Sequence, residues 1–345
     1  MKTLAIETSC DDTSLGIVSF DWQTFSVDIL LAYSQIQDHQ QYWGVVPEIA
    51  SRLHFDKIIE ILQQIGLDTV KNVDFISVTV HPGLPGSLVV GKAVASLLSS
   101  YFTKPLVQVN HIYGHVFSLL LERKPSDIQF PLVVLTASGW HNDIYVVTDS
   151  SIDDAHQFGW YRIKKVWYTL DDAVGECFDK VARMLWWPYP GWQRIAEKAL
   201  QWKPNDDVKF NRIFLSKDEF EFSFSWMKSQ VSFLLKNLVA SWKLQVTGWK
   251  LEIPEELICD IAYEFQEAVV EVMVKKLVRA GIAFNAKTLW LAGGVSCNDR
   301  LREYLQSYTK EKMPEAICLR PTKKVYSTDN AAMIWLAGIL EFTNN

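Results

Sequence analysis

A chain of 345 residues, 49% hydrophobic and 21% charged, exceeds the usual single-domain size and carries enough apolar surface for a sizeable core, so two domains are the default. No run approaches the roughly 18 to 20 apolar residues of a membrane helix, and five scattered cysteines without a CxxC pair argue against a disulfide framework and a thiolate zinc site. A net charge of −6 argues against a protein that grips nucleic acid alone by neutralising phosphates; any such role must rest on a local patch or on partner subunits.

The N-terminus reaches the polar stretch TSCDD after one short apolar run, too short for a secretory signal, so a cytoplasmic protein is expected. TLAIE (3–7) and SLGIVSF (14–20) are β-rich runs around the turn TSCDDT and predict a hairpin. Pro47 to Ile65 carries apolar residues at helical spacing, with Pro at its start and Gly66 just past its end. DFISVTV (74–80) reads as a buried strand, Ser87 to Phe102 as a small-residue helix, and PLVQVN (105–110) as a strand leading into a helix that begins near His111. This β-β-α-β-α-β-α order predicts an α/β domain with a mixed sheet.

A second strand pair is predicted at PLVVLTAS (131–138) and NDIYVVT (142–148), and the stretch from Thr169 to Phe265 is mostly helical in pattern. Asp260 to Ala280 reads as a long amphipathic helix closed by Gly281, followed by the strand KTLWLAGG (287–294) and a final helix NAAMIWLAGIL. Strand pairs opening both halves suggest two related lobes around a cleft.

His111 and His115 stand four apart, which puts both imidazoles on one helix face where they could share a metal ion; two ordinary surface histidines remain the alternative. A metalloprotease motif would need Glu after the first His, and that residue is Ile112. TSCDDT, ASGWHND and the glycine-rich LAGGVSCN sit at predicted turns or strand ends and suit a cleft that binds phosphate or adenine. The pair Asp11/Asp12 is either a solvated turn or a means of orienting water and metal.

These segments together resemble the TsaD family, the tRNA threonylcarbamoyladenosine synthases. The resemblance runs from IETSCDDT (6–13) through SQIQDHQQYWGVVPEIASR (34–52), HPGLPGSLVVG (81–91), NHIYGH (110–115) and ASGWH (137–141). It continues through LDDAVGECFDKVARML (170–185), PYPGW (188–192), FSFSWMK (222–228), LAGGVSCN (291–298) and STDNAAMIW (327–335), in one colinear order. It implies an α/β fold of the actin/Hsp70/sugar-kinase type, two-lobed, with mixed sheets and flanking helices. Residues 1–115 plus about 320–345 would form the N-terminal lobe, and 116–319 the second, with a helical insertion at about 169–265. It implies that His111, His115 and Asp329 bind one divalent metal ion, iron before zinc. Ser138, Gly139, Asp179 and Asn298 match positions that hold an adenylate, Thr136, Ala137, Trp140 and Trp192 neighbour them, and Asp11 matches a catalytic position. The implied reaction transfers the threonylcarbamoyl group from threonylcarbamoyl-AMP to N6 of adenosine 37 in tRNAs reading ANN codons, with TsaB-like and TsaE-like protein partners. A non-catalytic module of the same fold would lack the metal residues, and a sugar or acetate kinase would not account for the His pair.

The chain departs from the family pattern in one consistent way. It has 14 Trp and only 16 Gly, where ordinary usage of about 7% would give roughly 24 Gly. Trp43, Trp140, Trp167, Trp192 and Trp226 stand where the family has Gly, and Trp186 and Trp202 follow the same rule. A decayed paralogue would scatter its substitutions and would not spare the metal positions. The pattern instead points to a source organism that reads UGA as glycine. Taken literally, Trp140 and Trp192 would fill the nucleotide site.

Overall fold

The computed structural model describes residues 1–149, 156–200, 208–212, 222–241, 243–247 and 250–342. The first sheet is built from β1 (Lys2–Glu7), β2 (Asp12–Phe20) and β3 (Phe25–Ser34), then β4 (Phe75–His81) and β5 (Leu106–Asn110), in the order β3-β2-β1-β4-β5. The first three are antiparallel neighbours, and β4 and β5 join in parallel. Between them lie α1 (Ile36–Gln40), α2 (Pro47–Ile65), α3 (Leu67–Lys71) and α4 (Pro85–Phe102), and α5 (His111–Phe117) follows.

Alternation along β1 and β2 sorts the side chains into two layers. Leu4, Ile6, Leu15 and Ile17 pack with Ile58, Ile61 and Leu98 of α2 and α4, whereas Ala5 and Val18 join the core on the other face. The third strand is absent from the expectation. β3 is the edge strand, half-exposed along most of its length, so its apolar signal is weak.

The second half repeats the plan. β6 (Leu132–Ala137), β7 (Asn142–Thr148), β8 (His156–Phe158) and β9 (Tyr161–Trp167) are followed by α6 (Val174–Met184), α7 (Gly191–Leu200), α8 (Ser225–Ala240), β10 (Gln245–Thr247), β11 (Lys250–Glu252), α9 (Glu255–Ala283), β12 (Thr288–Ala292), α10 (Asp299–Lys312), β13 (Ile317–Leu319) and α11 (Ala331–Phe342). The second sheet runs β13-β12-β6-β7-β9-β8, so an antiparallel meander again has two parallel strands on one side. Two mixed sheets of matching order with flanking helices make a two-lobed fold of the actin/Hsp70/sugar-kinase type. The last helix, apolar nearly all round, returns to pack on β1, β5 and α5.

One expectation is corrected. Gly281 does not close the long helix, which runs to Ala283; a Cβ there would lie 2.8 Å from Met313 Sδ and 2.9 Å from Leu289 Cδ2, so the glycine provides clearance for α9 against β12. The described part of 169–265 is mostly helical, as read, with the short β10–β11 hairpin inserted before α9. Trp202 lies outside the described residues. Among the described residues, no helix is long and apolar enough to cross a membrane.

Candidate metal centre and ligand cleft

At the end of β5, the Asn110 side chain accepts hydrogen bonds from the backbone N–H groups of Ile112 (2.8 Å) and Tyr113 (3.4 Å), which fixes the start of α5 at His111. His111 and His115 then lie one turn apart with ring centroids 4.7 Å from each other. The loop before α11 brings Asp329 to them: its Oδ1 lies 2.9 Å from His115 Nε2 and 3.6 Å from His111 Nε2. One donor atom from each of the three residues falls within 4.8 Å of the others.

Both nitrogens of the His115 ring are buried and make no properly angled hydrogen bond, despite the short approach to Asp329. An orphaned imidazole inside a core is costly unless something else takes its lone pair. Two imidazoles and one carboxylate with open positions are the donor set that iron(II) and zinc accept, so the residues fit such an ion. The electrostatics agree. Burial disfavours the charged form of His111, yet the carboxylates of Glu7 and Asp329 push its pKa up to about 9. Asp329 is held well below the usual carboxylate range, because the His111 and His115 imidazoles outweigh its burial. The pocket therefore favours positive charge at its base.

The centre opens into a cavity of about 490 Å³ lined by Ser9 to Asp12, Gly83, Ser138 to His141, Tyr189, Trp192, Gly294 and Thr328. The β1–β2 turn is fixed from below: His54 Nε2 bonds the Cys10 carbonyl at 2.9 Å, and Leu84 N–H donates to the Ser9 carbonyl at 2.7 Å. Burial raises the Asp11 carboxyl, and burial together with the Asp11 charge pushes Asp12 up to about 8. At the β6–β7 tip, Ser138 Oγ accepts from His141 N–H at 3.0 Å and from Trp140 N–H at 3.3 Å, while the open side of Gly139 faces empty space. Gly293 ends β12 with φ +86°, and a Cβ there would lie 2.4 Å from the Ala137 carbonyl oxygen, so only glycine lets the two strand ends meet. A larger cavity of about 730 Å³ beside Trp186, Leu244 and Ile258 has Lys243 and Glu252 as its ionisable lining among the described residues, and the His–His–Asp triad does not open into it.

The sequence-derived site residues fall into separate groups. Asp11, His111, Ser138, Gly139, Trp140, Trp192 and Asp329 line the one cleft. Asn298 lines an adjoining cavity of about 440 Å³, with Trp192 and Gln266. Its amide is already engaged, donating to Gln266 Oε1 at 2.8 Å and accepting from Leu301 N–H at the start of α10. Asp179 stands behind the wall, where its Oδ1 accepts from Gly191 N–H at 2.6 Å. Thr136 and Ala137 are buried at the end of β6, and the Thr136 hydroxyl donates to the Asp143 carbonyl. Trp140 and Trp192 both line the cleft: Trp140 is exposed but its side chain reaches Cys10 across it, and Trp192 is partly buried against the core of the second half. Glu7, Ser9, Tyr189 and His141 were missed. A carboxylate in the otherwise apolar strand TLAIE was the available signal for Glu7.

Fold and site together define a two-lobed α/β protein of the actin/Hsp70/sugar-kinase class with a His–His–Asp triad suited to a metal ion. The structure is similar to HypF from T. kodakarensis, with a TM-score of 0.58 at 13% identity over 99% of this chain and 47% of that one. A second HypF structure, bound to phosphate and nucleotide, gives 0.57 at 10% identity over 98% of this chain and 46% of that one. The chain belongs to the TsaD family, described as tRNA N6-adenosine threonylcarbamoyltransferase, whose family model matches residues 29–336. Relatives of that name share 36% identity in Syntrophomonas wolfei, over 96% of this chain and 89% of the relative, and 38% in Kosmotoga olearia, over 97% and 91%. A relative from Geobacter sp. M21 is 39% identical over 98% of this chain and 90% of its own length.

Proposed function

We propose that this chain transfers a threonylcarbamoyl group from threonylcarbamoyl-AMP to N6 of adenosine 37 in tRNAs that read ANN codons, with one divalent metal ion, iron before zinc, held by His111, His115 and Asp329. The observation that carries this reading is the convergence of those three donors at the base of a cleft that also presents Asp11 and the Ser138–Gly139 turn. Residues 1–115 with about 320–345, and 116–319, are assigned as the two lobes that flank this cleft.

Threonylcarbamoyl-AMP is an anionic mixed anhydride, and a divalent ion held by the triad would neutralise its phosphate in a cleft otherwise lined by carboxylates. The Ser138–Gly139 turn receives the adenylate with Gly139 leaving room, and Asn298 and Trp192 border the adjoining cavity that takes its far end. A bound iron or zinc ion supplies polarisation of the carbonyl and neutralisation of the leaving phosphate. The N6 amine attacks the carbamoyl carbon, a C–N bond forms, the C–O bond to phosphate breaks, and AMP leaves with the electron pair. Asp11, its carboxyl made more basic by burial, takes the proton from N6. Holding a weak nucleophile against its electrophile contributes the rest of the rate.

With a net charge of −6 the isolated chain is expected to bind tRNA weakly and with strong salt sensitivity, and to need TsaB-like and TsaE-like partners for turnover. The test combines purified chain, those partners, synthetic threonylcarbamoyl-AMP and unmodified tRNA transcript. Nucleoside mass spectrometry should find the modified adenosine at position 37, absent in His111→Ala and after chelation. Equal product from His111→Ala would remove the metal from the reaction.

A further inference from the structure

Glu7 is the last residue of β1 and completely buried. A carboxylate taken wholly out of water is expensive unless it is well hydrogen-bonded. Here both oxygens are engaged. Oε1 accepts the Ser9 N–H at 2.5 Å, while Oε2 accepts the Thr79 hydroxyl at 2.6 Å and lies 3.0 Å from His111 Nδ1. Two of these partners, Ser9 and His111, line the cleft, whereas Glu7 itself does not.

The direction of the last bond follows from its partners. An ionised carboxylate can only accept, which suits the Ser9 N–H and the Thr79 hydroxyl, and with Glu7 in that form the remaining bond carries its proton on His111 Nδ1. Nε2 of the same ring is then the nitrogen left for a ligand, and it is the one that faces Asp329. Ser9 Oγ, 3.1 Å from Nδ1, adds a second contact on the same side of the ring.

We propose that Glu7 is a positioning residue for the metal centre: its buried carboxylate holds the Nδ1 proton of His111 and so presents the Nε2 lone pair to the point shared with His115 and Asp329. The inference rests on the metal-centre reading above. His115 has no such partner, since its Nδ1 is buried without one, so the two imidazoles are unequal and Glu7 makes His111 the firmly oriented donor.

Glu7→Gln tests this sharply. The new side chain must still offer an oxygen to Ser9 N–H, which turns its NH₂ toward Thr79 and His111. That NH₂ donates to Nδ1 and drives the ring proton to Nε2, the wrong nitrogen. Zinc or cobalt(II) affinity of the purified full chain, measured by chelator competition, should fall about 10- to 100-fold. Nitrogen-15 histidine spectra of the zinc-loaded protein should show His111 bound through Nε2 in the wild type and released in the variant. Thr79→Val keeps the Glu7–His111 bond while breaking the same buried network, and should bind within about threefold of wild type. Equal affinity for Glu7→Gln and wild type overturns the role of Glu7 and leaves the metal centre standing. Equal losses in Thr79→Val and Glu7→Gln overturn it as well, because packing then accounts for the effect. A wild-type chain that takes up neither metal overturns both readings.

Discussion

The Tyr189 hydroxyl donates to Asp11 Oδ2 at 3.2 Å, tying the loop before α7 to the β1–β2 turn across the mouth of the cleft. Both groups are partly buried, and this burial together with the Asp11 charge raises the Tyr189 hydroxyl far above its ordinary pKa, so it stays protonated and donates in this pair. That bond stabilises the ionised form of Asp11 against the burial that raises it.

Removing the hydroxyl with Tyr189→Phe should therefore raise the Asp11 pKa further. Transfer should slow about 10-fold at neutral pH, and the acid limb of the single-turnover pH–rate profile should move to higher pH. Thermal stability should change little, since the ring is kept. An unshifted profile with a lowered rate would mean that Tyr189 acts on the ligand and not on Asp11.

For the metal, wild-type protein should bind about one equivalent of zinc or iron(II), and Asp329→Ala or His115→Ala should retain almost none while keeping the helical circular dichroism signal. The three donors come from α5 and from the loop before α11, so loss of one leaves the lobes themselves intact. Stoichiometric, tight binding in Asp329→Ala would rule out the assigned ligand set.

The parts of the fold that were legible in the sequence are those with a strong internal period. Pro47–Ile65 has Pro at one end and Gly66 at the other, and the structure places α2 between the same two residues. β7 likewise spans Asn142–Thr148 as read. The rest failed for identifiable reasons. β3 is an edge strand with little buried surface, and α10, half of it charged, fully buries Leu301, Leu305 and Thr309 and packs Tyr304 and Tyr308 only partly against the core. The His pair was visible from its spacing, but Asp329 lies more than 200 residues away and no local pattern joins it to them; only the family resemblance did. Glu7 and Tyr189 act through contacts between segments far apart in the chain, which no local period reports.

Stability should carry a signature of Asp179. Burial pushes this carboxyl up to about 6, against the Gly191 and Trp192 N–H groups, which pull it down. Its folded-state pKa then exceeds the unfolded value of about 3.9, so between those two values the folded protein holds more protons than the unfolded chain. Stability contributed by this group is present below pH 4 and is lost as pH rises toward 6. Asp179→Asn, uncharged and still able to accept from Gly191, should escape that loss. Denaturation midpoints compared at pH 4 and pH 7 should favour the variant at the higher pH by of the order of 2 kcal/mol. Parallel pH profiles for the two proteins would show that Asp179 is ionised throughout.

The tryptophans give the most exposed prediction. Six non-glycine residues have positive φ among the described residues, and three are Trp22 (φ 72°), Trp43 (φ 60°) and Trp186 (φ 61°). An L-residue in this region costs roughly 1 to 2 kcal/mol, and a bulky one is a real outlier, whereas glycine enters it freely. Glycine gives back part of that gain, about 0.5 to 1 kcal/mol, through its freer unfolded chain. Trp22→Gly, Trp43→Gly and Trp186→Gly should therefore each leave stability unchanged or raise it by up to about 1 kcal/mol. Trp43 and Trp186 are two of the positions where the family pattern has Gly, and Trp22 joins them on backbone geometry alone. If the source organism reads UGA as glycine, peptide mass spectrometry of protein from that organism will find glycine at 22, 43 and 186. Trp167 supplies the contrast. It is buried against the second-lobe core, and removing such a ring costs about 3 to 5 kcal/mol unless neighbours close the gap. Glycine at 43 and 186 with tryptophan at 167 would separate backbone-driven positions from packed ones and limit recoding to the former. Tryptophan at all of them in native peptides, together with destabilised Trp43→Gly and Trp186→Gly variants, would end the recoding account and leave a TsaD-family protein whose loops tolerate indoles at left-handed turns.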